Sequence, residues 1–173
     1  QIEIHQVVGA SMGAILGAAW LAGEKAEKLR RKLRAFFRSN RFLGERFALL
    51  RTERWDEANW RGRLKFVWQV ARYYLTTARQ IGFVSAEQFR DNITIIVPDI
   101  DIGALPIPFC AVAAELHSGD EVLLMSGSLR TAVFASAAIP GVVPPVAHGE
   151  QLLIDGGWID KVPVEPAYHL GAD

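Results

Sequence analysis

The spacing of hydrophobic positions changes twice along the chain. Residues 2–8 form an apolar run that reads as a strand. It passes through Gly9-Ala10-Ser11-Met12-Gly13 into a helix of small residues ending near Gly23. Residues 26–37 predict a basic helix. Trp60, Leu64, Val67, Ala71, Tyr74, Ala78 and Ile81 then recur at spacings of four and three, the period of an amphipathic helix, with Gly82 as its stop. Ser85 and Gln88 make a capping-box pair for a short helix to Arg90. Beyond it, residues 93–97, 109–114, 122–125 and 152–154 read as strands. A helix over 130–138 is expected between Ser128 as cap and Pro140 as stop, and another over 163–170 before Gly171. Strands interleaved with helices predict a three-layer α/β/α domain with a mainly parallel sheet. Residues 25–90 form a helical, basic cap inserted within that single domain, 1–173.

Composition narrows the class. Half the residues are hydrophobic and 22% are charged, as in a globular protein. The uncharged run 5–23 is too diluted by glycine and alanine to read as a membrane span. Cys110, the single cysteine, excludes an internal disulfide and suits a reducing, cytoplasmic setting; its apolar neighbours place it in the core. The net charge of zero conceals an asymmetry: residues 25–90 hold 17 of the 19 basic and six of the 19 acidic residues, a local net of +11. Basic residues there alternate with Trp55, Trp60, Phe66, Trp68, Tyr73 and Tyr74, which suits peripheral contact with an anionic membrane. No nucleic-acid recognition motif accompanies the charge.

Gly9-Ala10-Ser11-Met12-Gly13 fits Gly-x-Ser-x-Gly, in which a serine occupies a sharp strand-to-helix turn. Glycines at 9 and 13 are expected to remove side chains that would clash as strand and helix close. The helix N-terminus aims N–H groups, Met12 among them, at developing negative charge. A serine hydroxyl needs a base, yet His5, His117, His148 and His169 stand in no motif and read as turn or surface residues. Asp155-Gly156-Gly157 closes an apolar strand, and its glycines permit close backbone approach. Asp99 and Asp101 lack a third nearby ligand and read as a strand-end loop, so neither a metal nor a cofactor is expected.

These two motifs together resemble the patatin-like phospholipase family. The resemblance extends through Ala135-Ser136-Ala137-Ala138-Ile139-Pro140-Gly141, Pro144-Pro145 and Val162-Pro163-Val164, and leaves 25–90 unspecific. It implies a Ser–Asp dyad without histidine, with Ser11 as nucleophile and Asp155 as base. It also implies hydrolysis of phospholipid or lysophospholipid acyl esters through an acyl-serine intermediate. The family's glycine-rich oxyanion loop precedes the elbow and is not among these residues. The chain opens directly in a strand at Gln1 rather than at a methionine and stops just after a helix, so both ends read as cut from a longer polypeptide. Two rivals stay open: an α/β-hydrolase esterase or thioesterase with a Ser-His-Asp triad, and a catalytically idle membrane-binding or regulatory module of the same fold.

Overall fold

Small side chains decide how the first unit packs. In the computed structural model, which describes residues 3–38 and 86–172, strand β1 (Val7–Ala10) turns at Ser11 into helix α1 (Met12–Leu21). Ala14, Ala18 and Ala19 of α1 are buried. A Cβ at Gly17 would stand 2.7 Å from Val7 Cγ1, so the glycine lets α1 lie directly on the strand. The strand expected over 2–8 thus begins later, because its partner strand starts only at Phe109, which pairs with Val7.

Helix α2 (Ala26–Arg38) turns Leu29 and Leu33 inward and leaves Arg30, Arg31 and Arg34 exposed. Glu24, just before it, accepts a hydrogen bond from Lys32 and forms an ion pair with Lys28 at 3.3 Å, and both lower the Glu24 pKa. Helix α3 (Ala86–Ile96) corrects one expectation, since residues 93–97 do not form a strand. The run Ile93-Thr94-Ile95-Ile96-Val97 has strand-like composition. Burial nevertheless falls on Phe89, Asn92, Ile93, Ile96 and Val97, a helical spacing, while Ile95 is half exposed. Packing against the protein overrides the β-branched preference. The expected helix over 60–81, the Ser85–Gln88 cap and most of the 25–90 section lie outside the described residues.

Strands β2 (Phe109–Glu115) and β3 (Glu121–Leu124) form a hairpin, followed by helix α4 (Leu129–Ser136). Ser128 caps α4 by accepting the Thr131 N–H at 3.2 Å. Arg130 ties α4 to the end of α3 by donating to Val97 O at 3.1 and 3.2 Å. Phe89 and Phe134 bring the same helices together, ring centroids 5.0 Å apart. Strands β4 (Val146–His148) and β5 (Gln151–Asp155) make a second hairpin, and helix α5 (Val164–His169) closes the described chain.

The fold is α/β, with a mixed sheet in place of the mainly parallel one expected. β1 and β2 pair parallel, whereas β2–β3, β2–β5 and β4–β5 are antiparallel. The connections β2–β3 and β4–β5 are too short for the crossover that parallel neighbours require. β2 is buried along its whole length. Phe109, Ala111 and Ala113 face the helices α1, α3 and α4, while Cys110 and Val112 pack with Ala10, Val8 and Leu123 on the other face. Among the described residues no helix is long and apolar enough to cross a membrane.

The register determines where two chain segments meet. β1 pairs with 109–112 of β2, β3 with 111–114 and β5 with 113–115. Because β3 overlaps both β1 and β5, those two must share the opposite edge of β2. They run along it toward each other, and Ala10 opposite Val112 ends beside Asp155 opposite Ala113.

Candidate active site where two strands converge

Ser11 and Asp155 occupy the junction. Ser11 has φ 53° and ψ −120°, and is the one non-glycine with positive φ among the described residues. Such backbone is costly for an L-residue and persists only where the surroundings hold it. Here the Ser11 N–H donates to Ser136 O at 3.1 Å and Ser136 Oγ at 3.0 Å, while the Ser11 carbonyl accepts the Ile15 N–H at 3.2 Å. Gly9 is required by space: a Cβ there would stand 2.6 Å from the Gly13 carbonyl carbon. Gly13 corrects the expectation of a clash, since a Cβ there meets nothing within 4 Å. The tight approach is made by the backbone of residue 13, so the side chain must be missing from residue 9 alone.

Asp155 is buried at 4% exposure. Its N–H donates to Ala138 O at 3.0 Å, and its Oδ1 accepts the Gly157 N–H at 2.7 Å, which orients the carboxylate. The other oxygen, Oδ2, accepts from Ser11 Oγ at 2.6 Å, a short bond of the charge-assisted kind. Both following glycines have steric reasons. A Cβ on Gly156 would lie 2.1 Å from Val112 O, and one on Gly157 would lie 2.9 Å from Asp155 Oδ1. Met12 opens α1, so its N–H is one of the first-turn amides without an intrahelical acceptor.

No histidine bonds to this pair. His117 stands 3.2 Å from Glu115, and His169 faces Glu165 at 3.6 Å. His148 lies in the β4–β5 hairpin, and His5 is exposed before β1. Asp101 caps a short 3-10 turn through the Gly103 N–H at 2.8 Å, and Asp99 accepts from Ser128 Oγ at 3.2 Å. Cys110 is buried, and desolvation, aided by Glu121, pushes its thiol up to about 11, so it is core rather than nucleophile. A cavity of about 340 Å³ lies at the far end of β1 and β2, among Val8, Ile107, Cys110 and Leu170, and touches neither Ser11 nor Asp155.

Sequence reasoning missed Ser136 as a separate residue. It is fully buried, and its hydroxyl donates to Val112 O at 2.6 Å while accepting the Ser11 N–H. The available signal was a lone hydroxyl in the apolar string Ala135-Ser136-Ala137-Ala138.

Residues 1–168 match the family model described as patatin-like phospholipase. An NTE family protein of Mycobacterium tuberculosis is 41% identical over 92 residues, 53% of this chain and 26% of that protein. A second NTE family protein of that organism is 48% identical over 59 residues, 34% of this chain and 10% of its own length. Neuropathy target esterase sws of Drosophila melanogaster is 23% identical over 173 residues, 99% of this chain and 10% of that protein. The chain thus spans about a quarter or less of the length of these relatives.

Proposed function

The chain belongs to the patatin-like phospholipase family, and from that premise we propose that it hydrolyses carboxylic esters of lipids with Ser11 as nucleophile and Asp155 as base. Phospholipid or lysophospholipid acyl chains are the substrate class, and residues 1–173 act as one catalytic domain. The observation that supports this reading is the 2.6 Å bond from Ser11 Oγ to Asp155 Oδ2, with no histidine on either partner. Ser11 Oγ attacks the acyl carbonyl carbon as its proton passes to Asp155 Oδ2. The C–O bond to the leaving alcohol then breaks, and that alcohol takes the proton from Asp155. Water attacks the acyl-Ser11 ester, gives its proton to Asp155 and releases the fatty acid, and the proton returns to Ser11 Oγ.

The Gly157 N–H holds Oδ1 throughout, so the oxygen facing the serine is always the same one. The Ser11 N–H is engaged by Ser136 and does not serve the oxyanion. The Met12 N–H, at the positive end of α1, is one donor to the oxyanion. Peripheral contact with anionic membrane through the basic section belongs to the same reading, supported by the exposed Arg30, Arg31 and Arg34 of α2.

The test is a fluorophosphonate probe with phospholipid turnover on wild type, Ser11→Ala and each single histidine variant. Ser11→Ala should lose both labelling and turnover, while the histidine variants keep them. Activity lost with any one histidine replaces the dyad with a triad, and an unlabelled wild type leaves an idle module. Co-sedimentation with vesicles tests the membrane contact: equal binding to neutral and anionic vesicles would discard it.

A further inference from the structure

The last turn of α4 and the residues after it touch both partners of the Ser11–Asp155 pair. Ser136 joins two backbone groups that lie 24 and 125 residues away in sequence, donating to Val112 O and accepting the Ser11 N–H. Two residues on, Ala138 O accepts the Asp155 N–H at 3.0 Å. Val112 O is also the atom against which Gly156 is pressed. One carbonyl of β2 therefore locates the serine side through Ser136 and the aspartate side through Gly156.

Packing at this end of α4 is otherwise apolar, since Ala132, Val133, Ala135 and Ala137, near Ser136 in sequence, are also buried, so volume alone does not call for a hydroxyl. A buried hydroxyl is favourable only when its hydrogen bonds are made, and both capacities of Ser136 are used between backbone groups. What it gains is geometric, since Ser11 sits in left-handed backbone that relaxes unless held. We propose that Ser136 is a positioning residue whose hydroxyl, fixed by the Val112 carbonyl, holds the Ser11 backbone so that Ser11 Oγ meets the Asp155 carboxylate. This proposal rests on the Ser11–Asp155 reading above.

The experiment uses the full-length polypeptide with Ser136→Ala, Asp155→Asn and the double variant, and reads kcat, KM, the rate of Ser11 labelling and Tm. A small misplacement of reacting atoms costs up to about 100-fold, so Ser136→Ala should lower kcat and labelling by about 10- to 100-fold. KM should stay within about twofold, since substrate contacts are untouched. Added to Asp155→Asn, the same change should cost nothing further, because groups that act as a unit are not additive. Unchanged labelling in Ser136→Ala overturns the proposal, and so does a loss that multiplies in the Asp155→Asn background. Where Ser136→Ala does not fold, Ser136→Cys is read in the same way, as its somewhat larger thiol leaves no void but bonds weakly. Wild-type turnover in Asp155→Asn would sink the dyad, and the Ser11 labelling rate would still decide whether Ser136 positions the serine.

Discussion

Two buried carboxylates lie on the same pair of strands, and their surroundings differ in what the oxygens face. Glu115, at the end of β2, is closed by its own neighbourhood. Its Oε2 accepts the N–H groups of His117 at 2.7 Å and Ser118 at 2.6 Å. Its Oε1 accepts the Leu152 N–H at 3.3 Å and lies 3.2 Å from His117 Nδ1. Asp155, a few residues away on the β2–β5 ladder, takes one backbone N–H on Oδ1 and leaves Oδ2 to a serine hydroxyl. A carboxylate saturated by backbone is a structural pin. One with an oxygen turned to a hydroxyl in strained backbone has the geometry that the proposed proton transfer needs. Burial alone does not distinguish them, since both are under a tenth exposed.

The largest effect separates the two directly. Asp155→Asn should cut ester turnover by about 10⁴-fold, the scale of losing a base or its orientation in serine hydrolases. Glu115→Gln should leave kcat within about threefold, because it touches no reacting atom. Steady-state rates on the two variants, with circular dichroism to verify folding, check both. A similar loss from each would erase the distinction.

Next in size is the backbone around the open carboxylate. Gly156→Ala places a Cβ 2.1 Å from Val112 O. The strands must separate or β2 must shift, at an expected cost of about 3 kcal/mol. Urea unfolding measures it, and a loss below about 1 kcal/mol would mean that the junction is less tightly built than its geometry indicates.

The site was more legible in the sequence than the sheet. Gly9, Ser11 and Gly13 stand in a local string whose spacing encodes a turn, and Asp155-Gly156-Gly157 is equally local. Their meeting was implied only by the family resemblance and not by the residues themselves, because it depends on β1 and β5 sharing one edge of β2, a matter of register between distant segments. The mixed sheet was hidden for the same reason, although the turn-like residues 116–120 and 149–150 carried a hairpin signal. The error at 93–97 came from weighing β-branched composition above the spacing of Phe89, Ile93 and Ile96. At Glu115 only part of the arrangement is local: the Ser118 and His117 donors follow it in the turn, whereas Leu152 comes from 37 residues away.

The closed carboxylate should register in acid. The Ser118 N–H foremost, then the His117 side chain and the N–H groups of Leu152 and His117, hold the Glu115 pKa at about 2, below the ordinary 4.5. A depressed folded-state pKa means that the unfolded chain binds the proton more readily. The stabilisation is therefore complete above about pH 4.5 and fades as the pH falls toward about 2. Glu115→Gln should lower Tm near neutrality, and the gap from wild type should close across that window. A gap that stays constant between pH 6 and pH 2 would show that the carboxylate charge is not what the turn uses.

The smallest effect asks whether a side chain contributes to the closed site as one does to the open site. His117 is 73% exposed on its side chain, and its ring stands 3.2 Å from Glu115 Oε1, so solvent screens the contact. The leading influence on Glu115 is the Ser118 N–H, which no substitution at 117 removes, and the His117 N–H also survives replacement. His117→Ala should therefore shift Tm by less than about 2 °C. It should also move the acid transition only slightly, in contrast to the loss from Ser11→Ala at the open carboxylate. Thermal melts of wild type and His117→Ala at several pH values between 2 and 7 decide the point. An acid transition displaced as far as in Glu115→Gln would make Glu115 a side-chain-dependent site like Asp155, and the contrast between the two carboxylates would fail.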